Sequence, residues 1–298
     1  MKKTCVAALL GSALINPGWA AGTFDIAVTV DDLPVHGQLP PQMTRLGIAG
    51  SYLRTLAAHH VPEAYGFVNA IGIKNEPGSA AVLEAWRKAG YPLGNHTYSH
   101  MNLDNAASLD AWQADVAAGE PEIASRMAGA DWHYLRFPYL AAGAARSDAA
   151  LAYLRGRGYR VADVSLSFGD WIYSDTFARC LAKGDTATIE AMKVQYLASV
   201  DSAIAEMLAN SQRVYGRVIP QVLLTHIGAW SAATLPDVLA KLDAAGAHYV
   251  TLAQAQADPA YAEPDGGMLI ERTAKRQGIS LAPAAAPVAV PEIQSLCR

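Results

Sequence analysis

Seven short apolar runs, separated by amphipathic stretches, constrain this chain more than any other feature. The runs are Phe24–Val30, Ala64–Val68, Tyr91–Asn95, Tyr134–Phe137, Tyr159–Val164, Gln221–Thr225 and His248–Thr251. Each has the length of a buried strand. Between them, Thr44–Ala58 brings Leu46, Leu53 and Leu56 toward one face. Ser79–Ala89 carries Val82, Leu83 and Trp86 at helical spacing, and Thr186–Asn210 repeats Ile189, Met192, Tyr196, Val200, Ile204 and Leu208 along a stripe. These stripes read as packing faces. Strands that alternate with helices lie parallel, joined by crossovers, in either an open sheet or a barrel. About seven strands in 298 residues favour barrel-like α/β closure.

Barrel enzymes gather their chemistry at the C-terminal ends of strands. Asp31 and Asp32 follow the first run, His96 follows the third, Arg136 lies in the fourth and His226 follows the sixth. The pleat of a strand sends adjacent side chains in different directions, so one of the two carboxylates can bind a metal while the other stays free. Taken alone, the pair reads better as a solvated turn before Pro34. His96 and His100 stand four residues apart, a spacing that places two imidazoles on one face of a helical turn. Two His and one carboxylate, with positions open for water, make a catalytic zinc pattern. Such an ion acidifies water and polarises a carbonyl, and a free carboxylate beside it can take the proton.

Five motifs in order give the chain a resemblance to the polysaccharide deacetylase family, also called the NodB-homology domain or carbohydrate esterase family four. They are Thr29-Val30-Asp31-Asp32, His96-Thr97-Tyr98-Ser99-His100, Arg136-Phe137-Pro138-Tyr139, Asp170-Trp171 and Leu224-Thr225-His226. The first has Val where the family usually has Phe. The resemblance covers about Phe24 to Ala257. It implies a distorted (β/α)7 barrel, with Asp31 as catalytic base and Asp32, His96 and His100 as ligands of a divalent metal. Zinc suits those ligands best, although cobalt or another transition metal also fits. Arg136 would orient Asp31, the backbone N–H of Tyr139 would stabilise an oxyanion, and Trp171 and Leu224 would line an acetyl pocket. His226 would be the general acid, its pKa raised by Asp170; Asp163 and Asp175 are nearby rivals for that partnership. The family often has a further Asp at the position of Ser167. His36, His59, His60, His133 and His248 match no motif and are read as structural, although His36 could touch substrate from the loop after Asp32.

The start of the chain reads as a secretory signal. Lys2 and Lys3 precede an apolar segment from Val6 to Ile15, and Gly18-Trp19-Ala20 offers small residues for cleavage after Ala20. The segment is too short to span a bilayer. Removing 1–20 takes away Cys5 and leaves Cys180 and Cys297, a pair expected to form a disulfide in an oxidising compartment. Net charge is −4, and −6 from Ala21 onward, which gives no reason to expect nucleic acid or an anionic membrane as partner. The expected organisation is a signal peptide (1–20), one catalytic domain (21–275) and an extended Ala/Pro-rich tail (276–298). The expected protein is an exported, periplasmic or secreted monomer that removes N-acetyl or O-acetyl groups from an acetylated glycan. Two other readings stand beside it: a hydrolase of non-carbohydrate amides or imides, and a catalytically inactive glycan-binding module.

Overall fold

The computed structural model describes residues 22–281 and 290–298. The expected signal segment and residues 282–289 lie outside the described residues. Among the described residues, no helix is long and apolar enough to cross a membrane.

Eight parallel strands form one curled sheet. They are β1 (Phe24–Leu33), β2 (Ala64–Val68), β3 (Leu93–Asn95), β4 (Tyr134–Leu135), β5 (Arg160–Val161), β6 (Leu166–Ser167), β7 (Gln221–His226) and β8 (Ala247–Tyr249). The order is β5-β4-β3-β2-β1-β7-β6, and β8 pairs with the start of β1. The seven apolar runs each overlap a strand. The additional one, β6, is two residues long and too short to show a period. This is a distorted (β/α)7 barrel, in which β1 lies between β2 and β7.

Alternation along β1 separates two cores. Ile26, Val28 and Val30 join the large core beneath the helices, while Ala27 joins an inner cluster with Tyr65, Phe67, Tyr134 and Val222. Helix Arg45–Ala58 starts at Thr44, whose hydroxyl accepts from Gly47 N. It buries Ile48, Tyr52 and Leu56, a line four residues apart, whereas Leu46 is on the other side and 47% exposed. Of the three leucines expected on one face, Leu56 is buried and Leu53 packs against the core, and Leu46 alone lies off that face. Helix Ala80–Lys88 buries Val82, Leu83 and Trp86 as its spacing implies. The indole N–H of Trp86 is satisfied at Ala64 O, 3.0 Å away.

No ladder joins β5 to β6 among the described residues. The gap is filled by chain beyond Asp258, where the periodic pattern fades. Val164 bridges Met268, Gly267 N donates to Leu140 O at 2.7 Å, and Leu269 N donates to Val164 O at 2.7 Å. Arg272 then grips both oxygens of Asp163, at 2.8 and 2.5 Å.

The end of the chain departs from the extended tail expected of its composition. The boundary placed at 275 falls inside helix Leu269–Gln277, and a further helix occupies Val290–Ser295. So short a helix is unstable alone. It is docked by Ile293, which is buried in the main core, and by bonds from Thr176 to Ile293 O and from Arg179 to Gln294 O. A disulfide between Cys180 and Cys297 fastens it to helix Ser174–Lys183.

Candidate active site

The paired carboxylates lie where β1 loses its regular pleat. Register with β2 slips between Val30 and Leu33, and Asp32 adopts φ 65°. The neighbours therefore do not diverge as a regular strand would require. Both face His96, whose Nε2 is 3.6 Å from Asp31 Oδ2 and 3.5 Å from Asp32 Oδ1.

His96 and His100 are likewise brought together by a loop and not by the expected helical turn. Thr97 and His100 have φ 61° and 60°. Buried polar groups hold this backbone: Asn69 Nδ2 donates to the carbonyls of His96 and Thr97, at 2.5 and 3.2 Å. Asn95 Oδ1 accepts from Thr97 N, and Asp115 accepts from Ser99 N. These bonds offset the steric cost of left-handed backbone.

The result fits a divalent cation. His96 Nδ1 donates to Arg136 O at 2.7 Å, which leaves Nε2 bare toward the site. Asp32 Oδ1 is buried and has no hydrogen-bond partner. It stands 3.5 Å from Nε2 of both His96 and His100. Ligands about 2.0–2.1 Å from a tetrahedral zinc are separated by about 3.4 Å, so this spacing suits one ion. Burial and the neighbouring His96 push His100 down to about 4, so its imidazole is neutral and free to coordinate. Burial alone would raise Asp32, but the His36 hydrogen bond and nearby imidazoles hold it well below the usual carboxylate range.

Asp31 has its own cation. Arg136, 1% exposed, places Nη1 3.2 Å from each Asp31 oxygen and donates from Nη2 to Thr29 Oγ1 at 2.9 Å. Its Nε–H is taken by Ala162 O at 2.6 Å. Three fixed donors orient the guanidinium, and through it Asp31. Burial holds this guanidinium below its ordinary pKa, opposed by the carboxylates of Asp31 and Asp163.

His226 ends β7 in register with Asp31 on the adjacent β1. Its Nδ1 donates to Asp170 Oδ1 at 2.8 Å, and its backbone N donates to Asp170 Oδ2 at 2.8 Å. Ser231 supplies a third bond to that carboxylate, at 2.6 Å. Of the rivals, Asp163 is engaged by Arg272, and Asp175 accepts from Gln38 N. Burial acts to lower His226, but the charge and hydrogen bond of Asp170, with Asp32 and Asp31, lift it to about 9.

Asp31, Asp32, His96, His100 and His226 open on a cavity of about 520 Å³, and Arg136 and Asp170 support them from outside its lining. Tyr139, Trp171 and Leu224 contribute to its walls. Tyr139 is 68% exposed and its ring lies 4.5 Å from that of His100, whereas Trp171 is 47% exposed and not a core residue.

The sequence profile of the polysaccharide deacetylase family matches residues 21–162. Over those residues, just under half of its length, the chain is similar to the polysaccharide deacetylase family. Similar solved structures include a T48 deacetylase with substrate, 21% identical, TM-score 0.50, covering 79% of this chain and 92% of that one. The polysaccharide deacetylase Bc1974 of Bacillus cereus is 18% identical, TM-score 0.51, over 76% and 91% of the two chains. A mutant of BA3943, a family four pseudoenzyme with restored activity, is 15% identical, TM-score 0.52, over 79% and 68%. At these identities the likeness concerns the fold. No curated protein sequence matched the chain.

The site also has residues that the motifs do not mark. Met268 and Ser167 face the cavity, and so does His36, whose ring lies 4.8 Å from that of His226. Met268 arrives with the gap-filling segment and carries no local signal. His36 did carry one, an imidazole four residues beyond Asp32. The other unmatched histidines pair at the surface: His59 with Asp243, His133 with Asp131 and His248 with Asp25. His60 belongs to no candidate metal group among the described residues.

Proposed function

We propose that this protein is a metal-dependent deacetylase that hydrolyses acetyl groups on an acetylated oligosaccharide or polysaccharide, with release of acetate. One observation carries the reading: base, cation ligands and acid face a single cavity, and the base and the acid each have a buried partner, Arg136 and Asp170. A divalent ion, most readily zinc, held by Asp32, His96 and His100 would polarise the acetyl carbonyl and acidify the attacking water. Asp31, oriented by Arg136, takes the water's proton. The backbone N–H of Tyr139 donates to the developing oxyanion. His226, protonated and held by Asp170, passes its proton to the departing sugar nitrogen or oxygen. Leu224 bounds the acetyl methyl, and the exposed rings of Trp171 and Tyr139 offer faces on which a sugar can stack. Since every role is filled, an enzyme is supported over an inactive glycan-binding module.

Export is part of the proposal. The Cys180–Cys297 disulfide supports an oxidising compartment, periplasmic or extracellular, and 1–20 would be the removed signal. We take the exported form as a monomer with one catalytic domain.

Acetate release from chitooligosaccharides, peptidoglycan fragments and acetylated xylan tests the reading. Chelator-stripped protein is expected to be inactive and to recover with zinc or cobalt. Full turnover by rigorously metal-free protein would end this mechanism. Turnover confined to small amides or imides would move the substrate away from glycans.

The acid sets a second expectation. His226 is lifted above 6.5, so its protonated form persists through neutral pH and is lost as pH rises through about 9. Any stability it contributes is lost over the same rise. A bound cation opposes the carboxylates and draws this limb downward. Asp170→Asn removes the main lifting charge, so the alkaline limb of the pH–rate profile should move toward or below 6.5. An unmoved limb in Asp170→Asn would assign the acid to another group.

A further inference from the structure

His36 has no part in that scheme, yet it is fixed with more contacts than a bystander needs. Its Nδ1 lies 2.7 Å from Asp32 Oδ2, while Asp32 Oδ1 is left bare between two imidazole Nε2 atoms. The two oxygens of one carboxylate thus have different duties. We propose that His36 is a positioning residue for the metal: its Nδ1–H holds Asp32 Oδ2 and so presents Oδ1 as the single oxygen offered to the cation.

The donor is itself held on every side. Arg45 binds the carbonyls of His36 and Gly37, at 3.0 and 2.9 Å, and is anchored by Glu76 through two bonds of 3.0 Å. Gln38 N donates to Asp175 at 2.8 Å. Gly37 has φ 61°, and a Cβ there would stand 2.8 Å from Ser174 Cβ, so the loop is pressed onto helix Ser174–Lys183 where only glycine fits. Across the ring, a Cβ on Gly228 would approach His36 Cδ2 to 3.0 Å, and the ring of His226 lies 4.8 Å away. The imidazole is packed so that Nδ1 stays aimed at Asp32. A carboxylate fixed in this way enters the metal site already oriented, whereas a freely rotating one loses that freedom on binding.

This inference rests on the metal reading above, and its test needs no turnover. Stripped parent, His36→Phe and His36→Asn are titrated with zinc and with cobalt against a chromophoric chelator. Thermal unfolding of the stripped proteins checks the fold. Phe keeps a ring against His226 but cannot donate; affinity is expected to fall about 10–100-fold. The amide of Asn can stand near the lost Nδ1, so His36→Asn should recover most of that loss, with the cobalt absorption spectrum of the parent. Parent-like affinity in the Phe variant overturns the inference and leaves the metal reading intact. So does an Asn variant no better than Phe. A changed cobalt spectrum in the Asn variant would make His36 a ligand and equally overturn the positioning role. A parent that binds neither ion ends the metal reading, and this inference with it.

Discussion

Replacing Asp31 by Asn is expected to leave the metal bound and to slow acetate release by roughly a hundred- to ten-thousand-fold, the usual scale of general base catalysis. Asn is nearly isosteric, so it can stay beside Arg136, but its amide cannot take a proton from water. Asp32→Ala should behave differently although it is the adjacent residue. It removes the unpaired Oδ1 that both imidazoles face, so ion and activity should be lost together. Metal content per protein, measured beside turnover for both variants, separates the roles. An empty site in Asp31→Asn with a filled one in Asp32→Ala would exchange them. Near-normal turnover in both would place the chemistry elsewhere.

Arg136→Met should unfold far more easily than the parent. Asp31 is 2% exposed and, among the described residues, Arg136 is the only Arg or Lys at salt-bridge distance from it. Removing one member of a buried pair leaves the other charged and unpaired, at a cost of about 3–5 kcal/mol. The variant also frees Ala162 O and Thr29 Oγ1 of their donors. For a domain of this size, the loss corresponds to a fall of roughly 6–20 °C in melting temperature. Calorimetry at neutral pH measures it directly. A melting temperature within a degree or two of the parent would mean that the pair contributes no stability.

Where buried periodicity was long, the sequence was a good guide. The second run coincides with β2, the first falls within β1, and the stripe from Ile189 to Leu208 lies on one 30-residue helix. Asp31, Asp32, His96, Arg136 and His226 do meet at one end of the sheet. Their local geometry was not legible. The convergence of Asp31 and Asp32 depends on a slipped register and one left-handed residue, and neither leaves a trace in polarity. The His96–His100 loop takes its shape from Asn69, Asn95 and Asp115, which are distant in sequence or unremarkable in pattern. β6 was too short to show alternation, and the segment that brings Met268 and Arg272 to the barrel gap is irregular until its helix begins. Periodicity reports which face of a long element is buried; it is silent on loops shaped by bonds from elsewhere.

Asp32, Thr97, His100 and Tyr139 share a backbone region that side-chain-bearing residues normally avoid, with φ between 58° and 65°. Each such residue costs of order 1–3 kcal/mol relative to relaxed backbone. The end of the barrel that carries the candidate cation ligands thus holds strained backbone, carried by the well-packed cores beneath it. Selection for thermal robustness alone would find its easiest gains here, by relaxing these turns. Each gain would loosen the loops that aim the ligands and the oxyanion donor, so durability and turnover pull against each other at the same few residues.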